Sequence, residues 1–178
     1  MRFFDGLEVD GYRLPSGEFR VGMTGASTVL GYSREWLGRT LKRGGNTVKA
    51  LRGLGFSEEI EQVATRSIRG GGSSAQTISL DDFNRLIVYA IGDRKKAALA
   101  LQLSLSRVAL IDFFRDAFDE PPLSIEEKRR LFYEAYAATI SPDDWRNMDR
   151  QDILNLALTG DEPHLLWGLW NAWRGEER

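Results

Sequence analysis

The stretch Thr24–Arg43, TGASTVLGYSREWLGRTLKR, decides the fold of the N-terminal part of this chain. It predicts two short helices joined at residues 30–33. Thr24 has the side chain expected of the first helix's N-cap, and Ser33 that of the second. Leu37 and its neighbours at helical spacing then form an apolar side, by which the second helix is expected to pack on the first.

The opposite side of the second helix carries most of its charge. A short helix, a turn containing glycine and a second helix that carries the cations are the layout of a helix-turn-helix DNA reader. The same pattern also fits a small helical hairpin with a solvated face, and this alternative stays open. The outward residues are Arg34, Glu35, Arg39, Lys42 and Arg43.

Charge is distributed unevenly along the 178 residues, whose net charge is −2. Six cations between Arg34 and Arg52 face a single carboxylate, Glu35, whereas the chain from Ile111 onward is net −7. This asymmetry favours a nucleic-acid-binding N-terminal part and an acidic C-terminal part that is non-binding or regulatory. A neutral fold with uneven surface charge is the alternative.

Double-stranded DNA is therefore the predicted partner, and the contacts divide into two groups. Ser33, Arg34 and Arg39 are expected nearest the bases. The phosphate contacts are expected from Lys42, Arg43, Lys49, Arg52 and Arg69, with Arg66 beside Arg69 on a hairpin tip.

Turn and cap signals predict an α+β fold, with short β-hairpins, the helix-turn-helix-like pair and an all-helical C-terminal extension. One hairpin is expected around Pro15-Ser16-Gly17, with Phe19 and Val21 on its apolar face, and another around the glycines at 70–72. A helix or turn is expected over 46–54. Ser79 is expected to cap a helix up to residue 92, whose inward face carries Phe83, Leu86, Ile87, Ala90 and Ile91. A long helix follows, with Phe118 at its end expected to face inward.

Pro121-Pro122 marks the predicted boundary between a DNA-binding domain (1–120) and a helical extension (121–178). A capping box at 124–127 opens the extension. Its last apolar segment contains Leu166, Trp170 and Trp173, which we expect at a homodimer interface; burial in the protein's own core is the alternative.

Composition limits the chemistry. The chain has no cysteine and one histidine, His164, so disulfides, thiolate metal sites and histidine-based zinc clusters are not expected. No signal peptide and no apolar run near membrane-spanning length are recognised, which predicts a cytoplasmic protein without a membrane partner.

Neither catalytic residues nor a cofactor are predicted. The enzymatic alternative is a metal-dependent nuclease, in which Asp10 and Glu18 hold Mg²⁺ and Arg20 replaces the usual lysine.

Three motifs in order resemble the Bro-N/KilA-N class of phage antirepressor DNA-binding domains. They are Leu30-Gly31-Tyr32 followed by a basic helix, the segment from Ile78 to Ile87, and the helix that ends at the aromatic residue Phe118. The segment ISLDDF at 78–83 is also similar to a segment of uncharacterised cyanobacterial proteins. The resemblance covers roughly Asp10–Phe118 and implies DNA binding through the basic helix, in a transcriptional regulator or antirepressor-like factor.

Overall fold

The computed structural model describes residues 2–4, 7–66 and 72–140. Within these ranges it confirms the predicted α+β class. In chain order the elements are β1 (Arg2–Phe4), β2 (Leu7–Glu8), β3 (Gly11–Arg13), β4 (Phe19–Gly22), α1 (Met23–Val29), α2 (Trp36–Arg43), α3 (Asn46–Gly53), β5 (Glu61–Arg66), β6 (Gly72–Ser79), α4 (Leu80–Gly92), α5 (Lys96–Ala117) and α6 (Ile125–Ile140).

An antiparallel sheet with strand order β3-β4-β6-β5 carries the helices. Both predicted hairpins are confirmed, as β3–β4 and β5–β6. The two central strands pair with Val21 opposite Ile78, and both side chains are buried. Since β4 runs directly into α1 and β6 directly into α4, this pairing also sets where both helices begin.

Strand β4 does not follow the predicted alternation. Phe19 was expected on the apolar face with Val21, but it is 56% exposed, whereas Arg20 is only 5% exposed. Phe19 lies next to the hairpin turn, and the guanidinium of Arg13 lies 5.8 Å from its ring centroid. Arg20 is buried because its guanidinium is hydrogen-bonded to Thr77 and to the carbonyl of Glu59.

The main core lies between the sheet and helices α1, α2, α4 and the first half of α5. Leu30, Leu37, Leu86 and Leu101 are completely buried there. The predicted inward face of α4 is confirmed, since Phe83, Leu86, Ile87 and Ala90 are all buried. Apolar residues at helical spacing thus identify the packing side of each of these helices.

A glycine in a left-handed conformation ends α1. Gly31 has φ +84°. Its N–H donates to the Thr28 carbonyl and the N–H of Tyr32 donates to the Ser27 carbonyl, both at 3.0 Å. These two bonds form a Schellman motif, which satisfies carbonyls that the helix end would leave unpaired. The predicted turn between the two helices is confirmed.

The two predicted N-caps in this region are wrong. Helix α1 starts at Met23 after Gly22, so Thr24 lies inside its first turn, and α2 starts at Trp36 after a turn over residues 33–35. Neither helix has a side-chain cap. The strand feeds α1 directly, and the hydroxyl of Ser33 instead accepts a hydrogen bond from Arg39. The later caps are confirmed: Ser79 accepts from the N–H of Asp82, and Ser124 and Glu127 form the reciprocal bonds of a capping box.

The turn between α1 and α2 is anchored on the turn between α4 and α5. The Tyr32 ring stacks on Trp36 with centroids 3.8 Å apart, and its hydroxyl donates to Asp93 Oδ2 at 2.8 Å. Burial, followed by this hydrogen bond, raises the pKa of the Tyr32 phenol. The ammonium of Lys95 lies 4.6 Å from the ring centroid of Tyr32. The start of α2 is therefore held by aromatic and charged contacts as well as by the core.

Helix α6 packs on the same compact unit, which ends at Thr139. Phe132 is buried and stacks on Phe3, with ring centroids 4.8 Å apart. The predicted division at 120/121 places α6 in the extension, but this stacking joins α6 to the first strand. The rest of that extension, with Leu166, Trp170 and Trp173, lies outside the described residues.

Helix α5 changes character along its length. Its first half is buried at Leu101 and Ser104, whereas Phe118 at its end is 73% exposed and was wrongly expected to face inward.

Among the described residues, α5 alone is long and apolar enough to cross a membrane by length and composition, with a mean hydropathy of 1.5. The expectation that no apolar run approaches that length is therefore wrong. Core helices of soluble proteins pass the same criterion, so it assigns no location.

Two glycine exchanges test the Schellman motifs. Gly31→Ala should lower the free energy of unfolding by about 1 kcal/mol, because a Cβ disfavours positive φ. Arg94 occupies the same position after α4 with φ 57°, so Arg94→Gly should raise that free energy by up to about 1 kcal/mol. Urea unfolding followed by circular dichroism measures both changes. A change of the same sign in the free energy of unfolding of both variants would contradict this account of the turns.

Candidate nucleic-acid interface

An open groove of about 840 Å³ runs between α2 and the sheet. It brings together residues from five segments of the chain, some more than sixty positions apart. Its lining is formed by Asp10, Tyr12, Gly22, Met23, Thr24, Arg34, Glu35, Gly38, Arg39, Lys42, Gln62, Ser74, Ala75 and Gln76. Three of the predicted DNA-binding residues, Arg34, Arg39 and Lys42, are thus in one surface depression.

The packing of α2 on α1 determines which residues of α2 face this groove. Leu37 is completely buried, and its N–H donates to Ser27 Oγ at 3.4 Å. The Ser27 hydroxyl in turn donates to the Met23 carbonyl at 2.9 Å, so this buried serine links the two helices. With Leu37 inward, Arg39 and Lys42 are exposed on the groove side.

Arg39 is held in place across the start of α2. Its Nη2 donates to Ser33 Oγ at 3.0 Å and lies 3.5 Å from Glu35 Oε2. Ser33 and Glu35 are exposed, so these contacts orient the guanidinium at the surface without burying it. A guanidinium presents several donors in a fixed plane, which suits bidentate recognition of guanine or phosphate.

The second wall of the groove is polar and comes from the strands. Gln62 on β5 lies directly opposite Gln76 on β6, and Ser74 lies two residues before Gln76 on the same strand. Carboxamides that are exposed in a groove can read adenine through paired hydrogen bonds. Sequence reasoning missed these residues, because no motif in the sequence around Gln62 or Gln76 signals a nucleic-acid contact.

Tyr12 and two carboxylates complete the lining. Burial, and after it the charge of Asp10, raises the pKa of the Tyr12 phenol, so the hydroxyl stays protonated as a hydrogen-bond donor. Asp10 and Glu35 oppose the three cations of the groove, which leaves a net charge of about +1 at this site. The groove therefore combines cations, acceptors and neutral donors, as a surface that reads base edges needs.

Three of the other predicted cations, Arg43, Lys49 and Arg52, do not line this groove. Arg43, Lys49 and Arg52 are exposed. Arg52 forms a two-point ion pair with Glu58, and this hydrogen bond raises the pKa of Arg52 and lowers that of Glu58. Its charge is thus already compensated. The backbone of Arg66 ends strand β5 opposite Gly72, and Arg69 lies outside the described residues.

The residues proposed for the nuclease alternative have other partners or positions. Glu18 accepts a hydrogen bond from Arg20 Nη1 at 2.7 Å, and Asp10 lines the groove. Arg20 is buried with Thr77, so its guanidinium is part of the sheet and does not face solvent. In the described parts of the chain, no group of three or more aspartate, glutamate or histidine residues is arranged to hold a metal ion.

Comparisons of the chain with protein-family models, curated proteins and solved structures found no match.

The buried Arg20 network should be needed to hold the sheet wall of the groove. Arg20→Met keeps most of the side-chain volume but leaves the Glu59 carbonyl without this donor, so we expect a loss of about 2 kcal/mol in the free energy of unfolding. Arg13→Met removes an exposed cation from β3 and should cost about 0.5 kcal/mol. Urea unfolding of both variants gives the comparison. Similar small losses would show that the network contributes little.

Proposed function

We propose that the unit built from β1 to α6 binds double-stranded DNA and acts as a transcriptional regulator or antirepressor-like factor. The observation that carries the proposal is the groove in which Arg34, Arg39 and Lys42 face a polar wall of strand residues. Nothing in that arrangement is required by the core, since all three cations are exposed.

The dimensions of α2 fit the major groove of DNA. An α-helix with its side chains is about 10–12 Å across, which is close to the width of the major groove, and the eight residues of α2 form about two turns. Its buried side, at Leu37, faces the protein, so the opposite side can enter the groove without disturbing the core. Arg34 lies just before the helix, next to the N-terminal turn by which helix-turn-helix readers contact base edges.

The contacts support separate roles for the cations in this proposal. Arg39, oriented by Ser33 and Glu35, is suited to a base edge, whereas Lys42, Arg43 and Lys49 are suited to phosphates as exposed point charges. Arg52 contributes less than the others to phosphate binding, because Glu58 already neutralises it. The amides of Gln62 and Gln76 add donors and acceptors beside α2.

A protein-interaction module without DNA binding is the competing class. A mobility-shift assay with random duplex DNA at low salt separates the two classes. We expect a retarded complex that weakens steeply as salt rises, because phosphate contacts release counterions. Absence of any complex at low salt would contradict the proposal and favour a protein partner.

Removing two phosphate contacts should weaken binding to all sequences alike. For the double variant Lys42→Ala with Arg43→Ala, we expect the slope of log K against log salt to become less negative by about 2. Arg130→Ala, which removes an exposed cation of α6, is the control and should leave the slope unchanged. Fluorescence anisotropy titrations at several salt concentrations measure all three proteins. A slope that is the same in all of them would place the interface elsewhere.

Ser33 should act on specificity only through Arg39. After a preferred sequence has been selected from a random duplex library, Arg39→Ala should cost about 1–3 kcal/mol of discrimination against other bases at one position. Ser33→Ala should lose part of that discrimination, and adding it to Arg39→Ala should cost nothing more. The same library selection and titrations with the double variant measure the coupling. Additive losses would show that Ser33 contacts DNA independently of Arg39.

A further inference from the structure

The C-terminal half of α5 presents large apolar side chains to solvent. Phe113, Phe114 and Phe118 are 65–73% exposed, and Leu103 and Leu110 are 43% and 58% exposed. The buried residues of the same helix are Ala98, Ala100, Leu101 and Ser104, which all come before Leu110. Beyond Ser104 the helix thus keeps an apolar side that no described element covers.

These side chains form a stripe along the helix axis. Leu103, Leu110, Phe114 and Phe118 follow one another at intervals of seven, four and four residues, so they lie along one side of α5. Arg107 occupies the same stripe between the two leucines, where its Nη2 lies 3.8 Å from Glu134 Oε2 on α6. This spacing is that of a helix-pairing seam.

A protein partner fits this stripe better than the interior of a membrane. Arg107, Asp112, Arg115 and Asp116 lie within the same stretch, and such charges are costly in the hydrocarbon layer. Asp112 also binds Lys128 at 2.6 Å and the N–H of Leu123, so it ties α5 to the start of α6. The apolar side belongs to a helix that is fastened to its own domain.

The exposed area is close to what a stable dimer needs. Given that a large aromatic side chain has about 150–250 Å² of surface, the stripe and the neighbouring Phe113 present on the order of 600 Å² per chain. Two copies would then bury roughly 1,200 Å², which is the lower end of the range for specific interfaces.

We infer that the apolar side of α5 is the interface of a homodimer, in which the two α5 helices pair antiparallel with Leu110 on the two-fold axis. In that pairing, Leu103 meets residues 117–118 of the second copy, and Arg107 meets residues 113–114. Leu103 and Arg107 at one end of the seam thereby face aromatic residues at the other, and each guanidinium faces phenyl rings. A seam that complements itself in this way is what a two-fold interface requires.

This assignment differs from the predicted dimer through Leu166, Trp170 and Trp173, and it stands apart from DNA binding. It is measured without DNA, so its failure would leave the proposed DNA interface untouched. Where both hold, each dimer would carry two copies of α2, and paired half-sites are read by two such helices.

The test is sedimentation of the full chain at tens of micromolar. We expect a dimer, and Leu110→Glu should convert it to a monomer with at least tenfold weaker association, because two carboxylates would then meet on the axis. Leu110 is exposed, so the exchange should leave the circular dichroism spectrum unchanged. Val88→Glu, on the exposed side of α4, is the matched control and should remain dimeric.

Because the chain has no cysteine, a single introduced thiol gives a second measurement. Leu110→Cys should form a disulfide-linked dimer on mild oxidation, since a residue on a two-fold axis lies next to its own copy, and Val88→Cys should not. A native chain that sediments as a monomer would overturn the inference. It would do so even if Leu110→Glu lowered the melting temperature, which would indicate a role in the core, or if the chain sedimented with anionic phospholipid vesicles, which would indicate a membrane surface as the partner. A Leu110→Glu variant that remains as dimeric as the native chain would overturn it as well.

Discussion

The burial of Leu37 against α1 is the constraint on which the candidate interface depends. Once this side chain is inside the core, the opposite side of α2 must face out, and that side carries Arg39 and Lys42. The N–H of Leu37 and the hydroxyl of Ser27 add a polar link between the two helices. Loss of this contact would leave α2 free to rotate and would disperse the cations that the groove brings together.

The sheet supplies the second half of the same construction. The central strands β4 and β6 lead directly into α1 and α4. Because α2 packs on α1, the position of α2 depends on the pairing of β4 with β6, a strand far along the chain. Buried Arg20 reinforces that pairing by binding Thr77 across the sheet and the Glu59 carbonyl before β5. A charged residue that is satisfied on several sides fixes the geometry of a sheet more strictly than apolar contact alone.

Much of the fold could be predicted because its signals are local. The caps at Ser79 and Ser124, the turn at Gly31 and the apolar sides of α2 and α4 depend on residues within a few positions of one another, and all were confirmed. The errors occurred where tertiary partners decide. Arg20 is buried and Phe19 exposed because Arg20 is hydrogen-bonded to Thr77, a partner 57 positions away that the local sequence does not reveal. Phe118 is exposed because the end of α5 extends beyond the core.

The candidate site shows the same division. The basic side of α2 follows from helical periodicity, so Arg34, Arg39 and Lys42 could be identified from the sequence. The opposing wall could not, because Gln62 and Gln76 meet only through the register of β5 on β6. The pairing of Arg52 with Glu58 was equally hidden, since a positive φ at Glu58 turns the chain back toward α3.

The most direct test of the DNA interface is a map of backbone amides by NMR while random duplex DNA is added at low salt. The account predicts that the largest chemical-shift changes fall on the two walls of the groove, which are residues 33–42 and the strand residues around Gln62 and Gln76. Both walls should respond together, with one titration curve. Changes confined to α5 and α6, or no changes at saturating DNA, would contradict the assignment of this groove as a DNA-binding surface.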